Sequence, residues 1–571
     1  MVTRSEVKTV ILDNKYISEA EIWQNENFEG EKYSWLIKCK LDVLNEWLPI
    51  MIGIPKSWEI NLFDFYLLEE LPFIPHINKK GKLCLFDLEG TMIYPEFKGL
   101  LHQCILRAKD LISDGILGNN KEDFLREFDS YFALLDNNST AKVAFPDNKN
   151  HFNIKFCEKV NGTKKTRNKQ IVNGRKGDQK TSYFASFNQE DFSTWGVHST
   201  QKNGIYLWIN PTEYIYPPNI FDYSLERYLN ELLAFVDVRV FNKLRNKCSG
   251  DLVLFFEIQQ DIKTVSNCGF RIKKPKFMEN NKVELVGCDC IIPISIERVD
   301  VNYLSSRTMF SSNKIADKSV LLIGCGSIGG YVFHNLIKSG CKNITLVDDD
   351  VMKPANIFRH FLGAESAYCN KAKALVNYAK KALPMVYIKA ISKRIEEAIF
   401  DGDIDFTDFD YIVSATGSHT INRWINEYML KNRILKTVFY IWNEPLDIGC
   451  HVARINISNE GDYKNLFAIN DTGVIDLSSY ASSGQHFTKM YSGCTGTFIP
   501  YSSTLSSESS TLFIEMLKSD LEERIQKNII VSKKGDDYFF KKAGFFVSSR
   551  YSNQKERYLE IPICEIGKDD I

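Results

Sequence analysis

Apolar residues recur along this chain in two rhythms, and each rhythm predicts a different element. Near the N-terminus short dense runs dominate. Trp35-Leu36-Ile37-Lys38-Cys39-Lys40-Leu41 and Pro49-Ile50-Met51-Ile52-Gly53-Ile54-Pro55 read as sheet strands. From Pro95 to Leu117 the spacing lengthens. Leu100, Leu101, Cys104, Ile105, Ala108, Leu111 and Ile112 then share one helical stripe. Ser224 caps another amphipathic run through Leu225, Tyr228, Leu229, Leu232 and Leu233, and Leu252–Ile258 reads as a strand. From Ser319 to about residue 530, strand, glycine turn, helix and strand alternate, which predicts a parallel sheet with crossover helices. Tyr538-Phe539-Phe540 and Phe545-Phe546-Val547 read as short strands in the tail. The fold class expected is therefore α/β and α+β multidomain: an α+β domain over 1–145, a mixed linker domain over 146–300, and a Rossmann-like domain over 301–571.

The length, 571 residues, fits about three to four domains. Apolar residues make up 44% and charged residues 25%, which excludes global disorder. Lys+Arg number 71 against 72 Asp+Glu, so nothing points to bulk nucleic-acid or membrane-surface binding. Residues 159–180 are locally basic, with eight Lys/Arg and one Asp. No aromatic residue interleaves those charges, so a solvated loop is expected there rather than a nucleic-acid site. No apolar stretch reaches 18 residues and MVTRSEVKTV carries no apolar run, so no membrane span and a cytoplasmic location are expected. The 14 cysteines form no CxxC pair, and the nine histidines form no HxH or HExxH. That disfavours a disulfide framework, a structural zinc and a zinc hydrolase, and leaves mostly buried thiols among which one or two can be nucleophiles.

The strongest chemistry lies after Ser319. The apolar strand Val320-Leu321-Leu322-Ile323 runs into Gly324-Cys325-Gly326-Ser327-Ile328-Gly329-Gly330, which opens a helix. Gly324, Gly326 and Gly329 let the backbone turn tightly and approach a nucleotide at a helix N-terminus. The next strand ends in Asp348-Asp349-Asp350, and Asp348, 24 positions after Gly324, can accept ribose hydroxyls. Asn356, Arg359 and Lys371 follow. A dehydrogenase has no need of that set, whereas a departing pyrophosphate does. With these residues the region resembles the ThiF/MoeB superfamily, which includes the ubiquitin-activating enzymes. The resemblance implies ATP with Mg2+, a homodimer, and a role for Arg307 as the arginine that a dimer partner inserts into the ATP site; the competing reading of Arg307 is a solvated linker residue. The family often has an Asp after its fourth strand that helps hold magnesium. Gly417 stands there, which leaves Asp350 or Asp410, or water and phosphate, to hold the metal. Trp442-Asn443-Glu444-Pro445 and Gly449-Cys450-His451 resemble a strand pair of bacterial ThiF-like proteins and are expected to be structural, with Cys450 buried and His451 satisfied.

Two cysteines stand out. Cys494, in Ser492-Gly493-Cys494-Thr495-Gly496, precedes a helix expected over 507–519, a setting that makes a thiolate available. The ThiF-like families place a thioester cysteine at a comparable point. Pro75-His76-Ile77-Asn78-Lys79-Lys80-Gly81-Lys82-Leu83-Cys84-Leu85 resembles the H-P-N and G-x-[IL]-C-L signature of ubiquitin-conjugating enzymes. Ile77 stands in place of the proline, and the gap from Asn78 to Cys84 is short. The resemblance gives Cys84 a thioester role, Asn78 an oxyanion-stabilising role and His76 a supporting one.

The order of the modules resembles the fused conjugating–activating enzymes of bacterial CBASS antiphage operons. That resemblance implies a relay from Cys494 to Cys84. It also implies two partners, the C-terminal tail of a cGAS-like CD-NTase and a lysine-bearing target. A ligase for a dedicated ubiquitin-like protein, an NAD-dependent oxidoreductase and a non-catalytic nucleotide-binding scaffold remain open at this point.

Overall fold

The computed structural model describes residues 3–24, 33–69, 71–86, 92–146, 148–160, 181–197, 199–279, 282–305, 314–383, 386–470, 473–490 and 497–566. The basic segment 161–180, Arg307 and Cys494 lie outside the described residues. The chain forms two units, Met1–Phe187 with Val197–Arg298, and Asn188–Gly196 with Val299–Ile571.

The first unit opens with α1 (Arg4–Leu12), β1 (Ile17–Gln24), β2 (Tyr33–Val43), β3 (Glu46–Pro55) and β4 (Asp64–Leu67). The strands form an antiparallel sheet in sequence order. α2 (Phe97–Leu117) lies against it and buries Leu101, Cys104, Ile105, Ala108, Leu111 and Ile112, the stripe the spacing predicts. Glu96 caps its start by accepting from Lys98 N–H and Gly99 N–H, and Gly118 ends it at φ +76.

Two short helices follow, α3 (Asp123–Arg126) and α4 (Phe128–Ala133). Next come β5 (Ser139–Val143), β6 (Phe152–Val160), β7 (Thr181–Ser186), α5 (Gln189–Thr194, part of the second unit), β8 (Lys202–Ile209), α6 (Leu225–Leu233) and α7 (Val238–Arg245). β9 (Leu252–Gln259), β10 (Val265–Lys273), the hairpin β11 (Lys276–Glu279) and β12 (Val283–Gly287), and β13 (Cys290–Arg298) complete the unit. The strands close into a barrel in the order β10-β13-β5-β7-β6-β8-β9. Ser224 caps α6 as expected, its side chain accepting from Arg227 N–H. β9 is dense in apolar residues because both its faces are buried. Val253 and Phe255 face a core built from strands alone, whereas Leu254, Phe256 and Ile258 face the covering helices.

The second unit is a three-layer sandwich. After α8 (Val301–Ser305) it runs β14 (Ser319–Ile323), α9 (Ser327–Lys338), β15 (Asn343–Val347), α10 (Lys371–Ala382), β16 (Tyr387–Ile391), α11 (Ile395–Phe400), β17 (Tyr411–Ser414), α12 (His419–Asn432) and β18 (Thr437–Asn443). β19 (Gly449–Asn456), the hairpin β20 (Phe467–Asn470) and β21 (Gly473–Asp476), the short pair β22 (Lys489–Met490) and β23 (Thr497–Phe498), α13 (Ser503–Leu521), β24 (Ile529–Lys534), α14 (Tyr538–Lys542), α15 (Ser549–Asn553) and β25 (Tyr558–Pro562) follow. The sheet order is β16-β15-β14-β17-β18-β19-β24-β25, parallel through β18 and antiparallel beyond it. α9, α10 and α13 pack on one face and α11 and α12 on the other.

Three expectations about this unit change. Tyr538-Phe539-Phe540 is helical in α14, not a strand: Lys541 pairs with Asp537 one turn before it, and of the aromatics only Phe540 is buried. Phe545–Val547 is irregular apart from one bridge, Val547 to Ala481. The helix expected over 507–519 begins earlier, at Ser503, where the Ser502 hydroxyl accepts from Leu505 N–H.

Candidate active site

At the carboxyl ends of β14, β15 and β17 a cavity of about 420 Å³ opens. The glycine turn forms one wall. Gly324 lies at φ +87, and an added Cβ there would sit 3.0 Å from Ala415 O. Gly329 is one turn into α9, where a Cβ would fall 1.9 Å from Gly324 O, so any larger residue would force the start of α9 or the glycine turn to shift. Gly324 and Gly326 line the cavity, and Gly329 packs behind them.

The turn is held from the next strand. Asp348 Oδ2 accepts from Cys325 N–H at 2.6 Å, and Oδ1 accepts from Asp350 N–H at 2.8 Å. Burial pushes the Asp348 carboxyl up, against those N–H groups and the Lys371 charge. A carboxylate keeps acceptor capacity beyond two bonds, so Asp348 can still receive a ribose hydroxyl. Lys371, nearly buried at the start of α10, donates to Asp350 Oδ2 at 2.5 Å. Burial opposes ionisation of Asp350, but the Lys371 ammonium wins and holds that carboxyl below its usual range. Asn356 and Arg359 complete the polar wall, with the Arg359 guanidinium over the Phe498 ring at 5.8 Å.

The first unit holds a second cavity, of about 560 Å³, and the exposed Cys84 lines it with His76, Asn78, Lys82, Glu127 and Tyr131. Residues 76–84 form a hairpin. Asn78 N–H donates to Lys82 O at 3.0 Å and Cys84 N–H to His76 O at 2.9 Å. The Asn78 side-chain oxygen accepts from Lys80 N–H and Lys82 N–H, at 2.9 and 3.0 Å. This Asx turn fixes the Asn78 amide and leaves its NH2 as the end able to donate into the cavity. His76 Nε2 lies 3.0 Å from Asp123 and Nδ1 3.0 Å from Glu127. Glu127 foremost, with Asp123 and against burial, raises the His76 pKa.

Residues 304–504 match the family model described as ThiF family, and residues 13–141 match that of Prokaryotic E2 family B. This chain joins a prokaryotic E2 domain to a ThiF domain. Among curated relatives, the ATP-dependent ubiquitin transferase-like protein Cap2 of Pseudomonas aeruginosa is 28% identical over 235 residues, 40% of each chain. The protein of the same name from Vibrio cholerae is 24% identical over 300 residues, 49% of each chain. The matched stretches thus span less than half of these relatives. The solved E. coli MccB with MccA-N7isoASN aligns over 46% of this chain and 72% of its own, at 15% identity and a TM-score of 0.33. A likeness that loose carries no argument.

Within the ThiF domain the cavity gathers Gly324, Gly326, Asp348, Asp350, Asn356, Arg359 and Lys371. It does not gather Asp410. That carboxylate accepts from Ser319 N–H at 2.9 Å at the amino ends of β14 and β17, the end of the sheet away from the glycine turn. Asp410 is therefore no ligand for a metal at this site. Gly417 lines the cavity at φ +66, and an added Cβ there would meet nothing within 4 Å. Among the described residues no group of three or more His, Cys, Asp or Glu could cage a metal. The donor set fits a magnesium that takes most of its ligands from phosphate and water, with Asp350 as the carboxylate at hand.

Several residues of the ThiF site carried no motif. His360 is buried; its Nδ1 accepts from Leu362 N–H at 3.0 Å, which assigns Nε2–H as the donor to Cys325 O at 2.8 Å. Burial lowers its pKa, so it braces the glycine turn as a neutral imidazole. Ser327 Oγ donates to Arg359 O at 2.5 Å, which joins α9 to the arginine turn. Thr416 and Tyr501 also line the cavity. For His360 the available signal was its place directly after Arg359. The strand pair is structural, as expected. His451 is fully buried between Glu444 Oε1 at 2.7 Å and Ser532 Oγ at 2.8 Å, and burial pushes the Cys450 thiol up to about 12. Among the described residues no helix is long and apolar enough to cross a membrane.

Proposed function

We propose that this chain activates the C-terminal carboxylate of a partner protein with ATP and conjugates it to an amine. The observation that carries the reading is the pairing, on one chain, of a polar cavity that brings Arg359 and Lys371 to a glycine turn with an exposed cysteine beside a fixed asparagine amide. In the first step the partner carboxylate attacks the α-phosphate of ATP, and pyrophosphate leaves. Backbone N–H groups at Gly326 and Ser327 receive the phosphates, and Arg359, Lys371 and Asn356 stabilise the departing charge. Asp348 orients the ribose. Magnesium, held through Asp350 and phosphate oxygens, would neutralise triphosphate charge.

The acyl group then passes to Cys494 with release of AMP, and from there by thioester exchange to Cys84. An amine, most simply a lysine, attacks the Cys84 thioester. The C–N bond forms, the C–S bond breaks, and the Asn78 amide stabilises the oxyanion between them. The reading includes a homodimer in which Arg307 serves the partner's ATP site, and a cGAS-like CD-NTase as the activated protein, in the manner of the CBASS enzymes. Its support is the module order and the two Cap2 relatives.

The test is intact mass spectrometry under non-reducing conditions, with ATP and the candidate partner. A thiol-sensitive adduct is expected in Cys84→Ala and not in Cys494→Ala. ATP–pyrophosphate exchange should depend on the partner C-terminus. NAD binding without exchange would point to an oxidoreductase. Unchanged conjugation in both cysteine variants would point to a scaffold.

A further inference from the structure

The hairpin that carries Cys84 is gripped from outside its own sheet. His76 lies at φ +64, a sparsely populated conformation for a residue with a Cβ. Its carbonyl receives Cys84 N–H, so wherever His76 goes the cysteine backbone follows. β4 holds one side of the hairpin, Leu83 N–H donating to Phe65 O at 2.9 Å and Leu67 N–H to Gly81 O at 2.8 Å, and contacts from one short segment, 123–136, hold the His76 side. Asp123 and Glu127 flank the His76 ring at 3.0 Å each. The Tyr131 hydroxyl accepts from His76 N–H at 2.5 Å. Asp136 pairs with Lys79 at 2.5 Å.

That segment belongs to the barrel by its other face. Phe124, Phe128, Tyr131 and Phe132 share a core with β8, β9 and β10, and Phe132 meets the Phe270 ring edge-on at 5.6 Å. Asp129 Oδ1 accepts from Asn267 N–H of β10 at 2.8 Å. Tyr131 itself is buried, and Phe73 packs edge-on against its ring at 5.5 Å. A ring packed in the barrel core thus holds its hydroxyl on the backbone of the residue paired with Cys84.

We propose that Tyr131 is a positioning residue for acyl transfer at Cys84, and that the barrel, through α3 and α4, is a structural half of the conjugating site. The proposal rests on the reading of Cys84 as the carrier of a thioester. In the step concerned, an amine nitrogen attacks the acyl carbon, the C–S bond breaks, Cys84 leaves as thiolate, and the amine proton passes to solvent. Tyr131 takes no proton in this scheme. It keeps the sulfur and the Asn78 amide in register, where misplacement of about 1 Å is enough to slow a reaction by orders of magnitude.

The test uses the full chain and a small acyl donor, the mercaptoethanesulfonate thioester of N-acetyl-glycylglycine. Loading is followed on the Cys84 peptide by mass spectrometry, and discharge is timed with free lysine. Tyr131→Phe removes one oxygen and keeps the ring. Its limiting discharge rate is expected to fall about 10- to 100-fold, with the half-saturating lysine concentration and melting temperature unchanged. Asp123→Asn, which weakens the grip on the ring but not on the backbone, should lower the same rate less. An unchanged limiting rate in Tyr131→Phe overturns the positioning role, as does a change confined to half-saturation. If Cys84 of the unaltered protein takes up no acyl group, or does not yield it to lysine, the conjugating reading fails and the positioning role fails with it.

Discussion

Two glycines of one turn should respond to alanine in opposite ways. At Gly329 the added methyl would fall 1.9 Å from Gly324 O, a backbone atom that no side-chain rotation can move aside. Alanine favours a helix interior by about 1 kcal/mol, while forced overpacking costs about 1–3 kcal/mol. A contact this short belongs at or beyond the upper end, so a net loss of about 2 kcal/mol is expected. In a unit of this size that lowers the melting temperature by roughly 4–8 °C. At Gly326 an added Cβ meets nothing within 4 Å, because it points into the cavity. Gly326→Ala should therefore change stability by no more than about 0.5 kcal/mol. It should still occupy space needed by the phosphates and cut ATP–pyrophosphate exchange about 100-fold. Calorimetry and exchange, measured on both variants, separate the two roles. If Gly326→Ala exchanges pyrophosphate like the unaltered protein, the phosphates do not sit against this turn. If Gly329→Ala keeps its melting temperature, the packing account of α9 is wrong.

Lys371→Met removes the ammonium that lowers the Asp350 carboxyl, and exchange should drop about 10²- to 10³-fold while the fold persists. In the barrel, Glu257 is buried and accepts from Tyr206 Oη at 2.6 Å and Lys149 Nζ at 2.5 Å. Glu257→Ala should cost about 2–3 kcal/mol, below the full cost of breaking a buried pair because Lys149 reaches water; urea unfolding that loses less than 1 kcal/mol would refute the assignment. The His76 pKa is raised in the folded chain, so the stability its ion pairs supply is complete below the ordinary histidine value and lost as pH rises through the folded one. Glu127→Gln should shift that loss to lower pH, as read by melting temperature across pH and by the His76 proton resonances.

The parts of this molecule that were legible in the sequence are those whose partners lie close along the chain. The glycine turn, β14, β15 and the Asn356–Lys371 set fall within about fifty residues, and local spacing plus helix-end electrostatics suffices to join them. The barrel was not legible. Its parallel pairs β5–β13, β5–β7 and β8–β9 join strands far apart in sequence, and β9, buried on both faces, shows no alternation to mark an inside. The grip of Tyr131 on His76 spans 55 positions, and neither residue type announces it. α14 was misread because three aromatics in a row favour a strand, whereas only Phe540 finds a core and Asp537 with Lys541 supports a helical turn.

Asp410 is the instructive error, because a rule already in use rejects it. Ligands of a parallel sheet gather at the carboxyl ends of the strands. Asp348 follows Val347, the last residue of β15, and so reaches the cavity. Asp410 precedes Tyr411, the first residue of β17, and so faces the opposite edge, where it binds Ser319 at the start of β14. The position of an acid before or after its strand, read from the apolar run alone, decides between the two. By the same rule Gly417, just past the end of β17, is where a further carboxylate would reach this cavity. Without a carboxylate there, the acids lining the cavity are Asp348, Asp349, Asp350 and Glu396, set against Arg359, Lys371, Lys393 and Arg394.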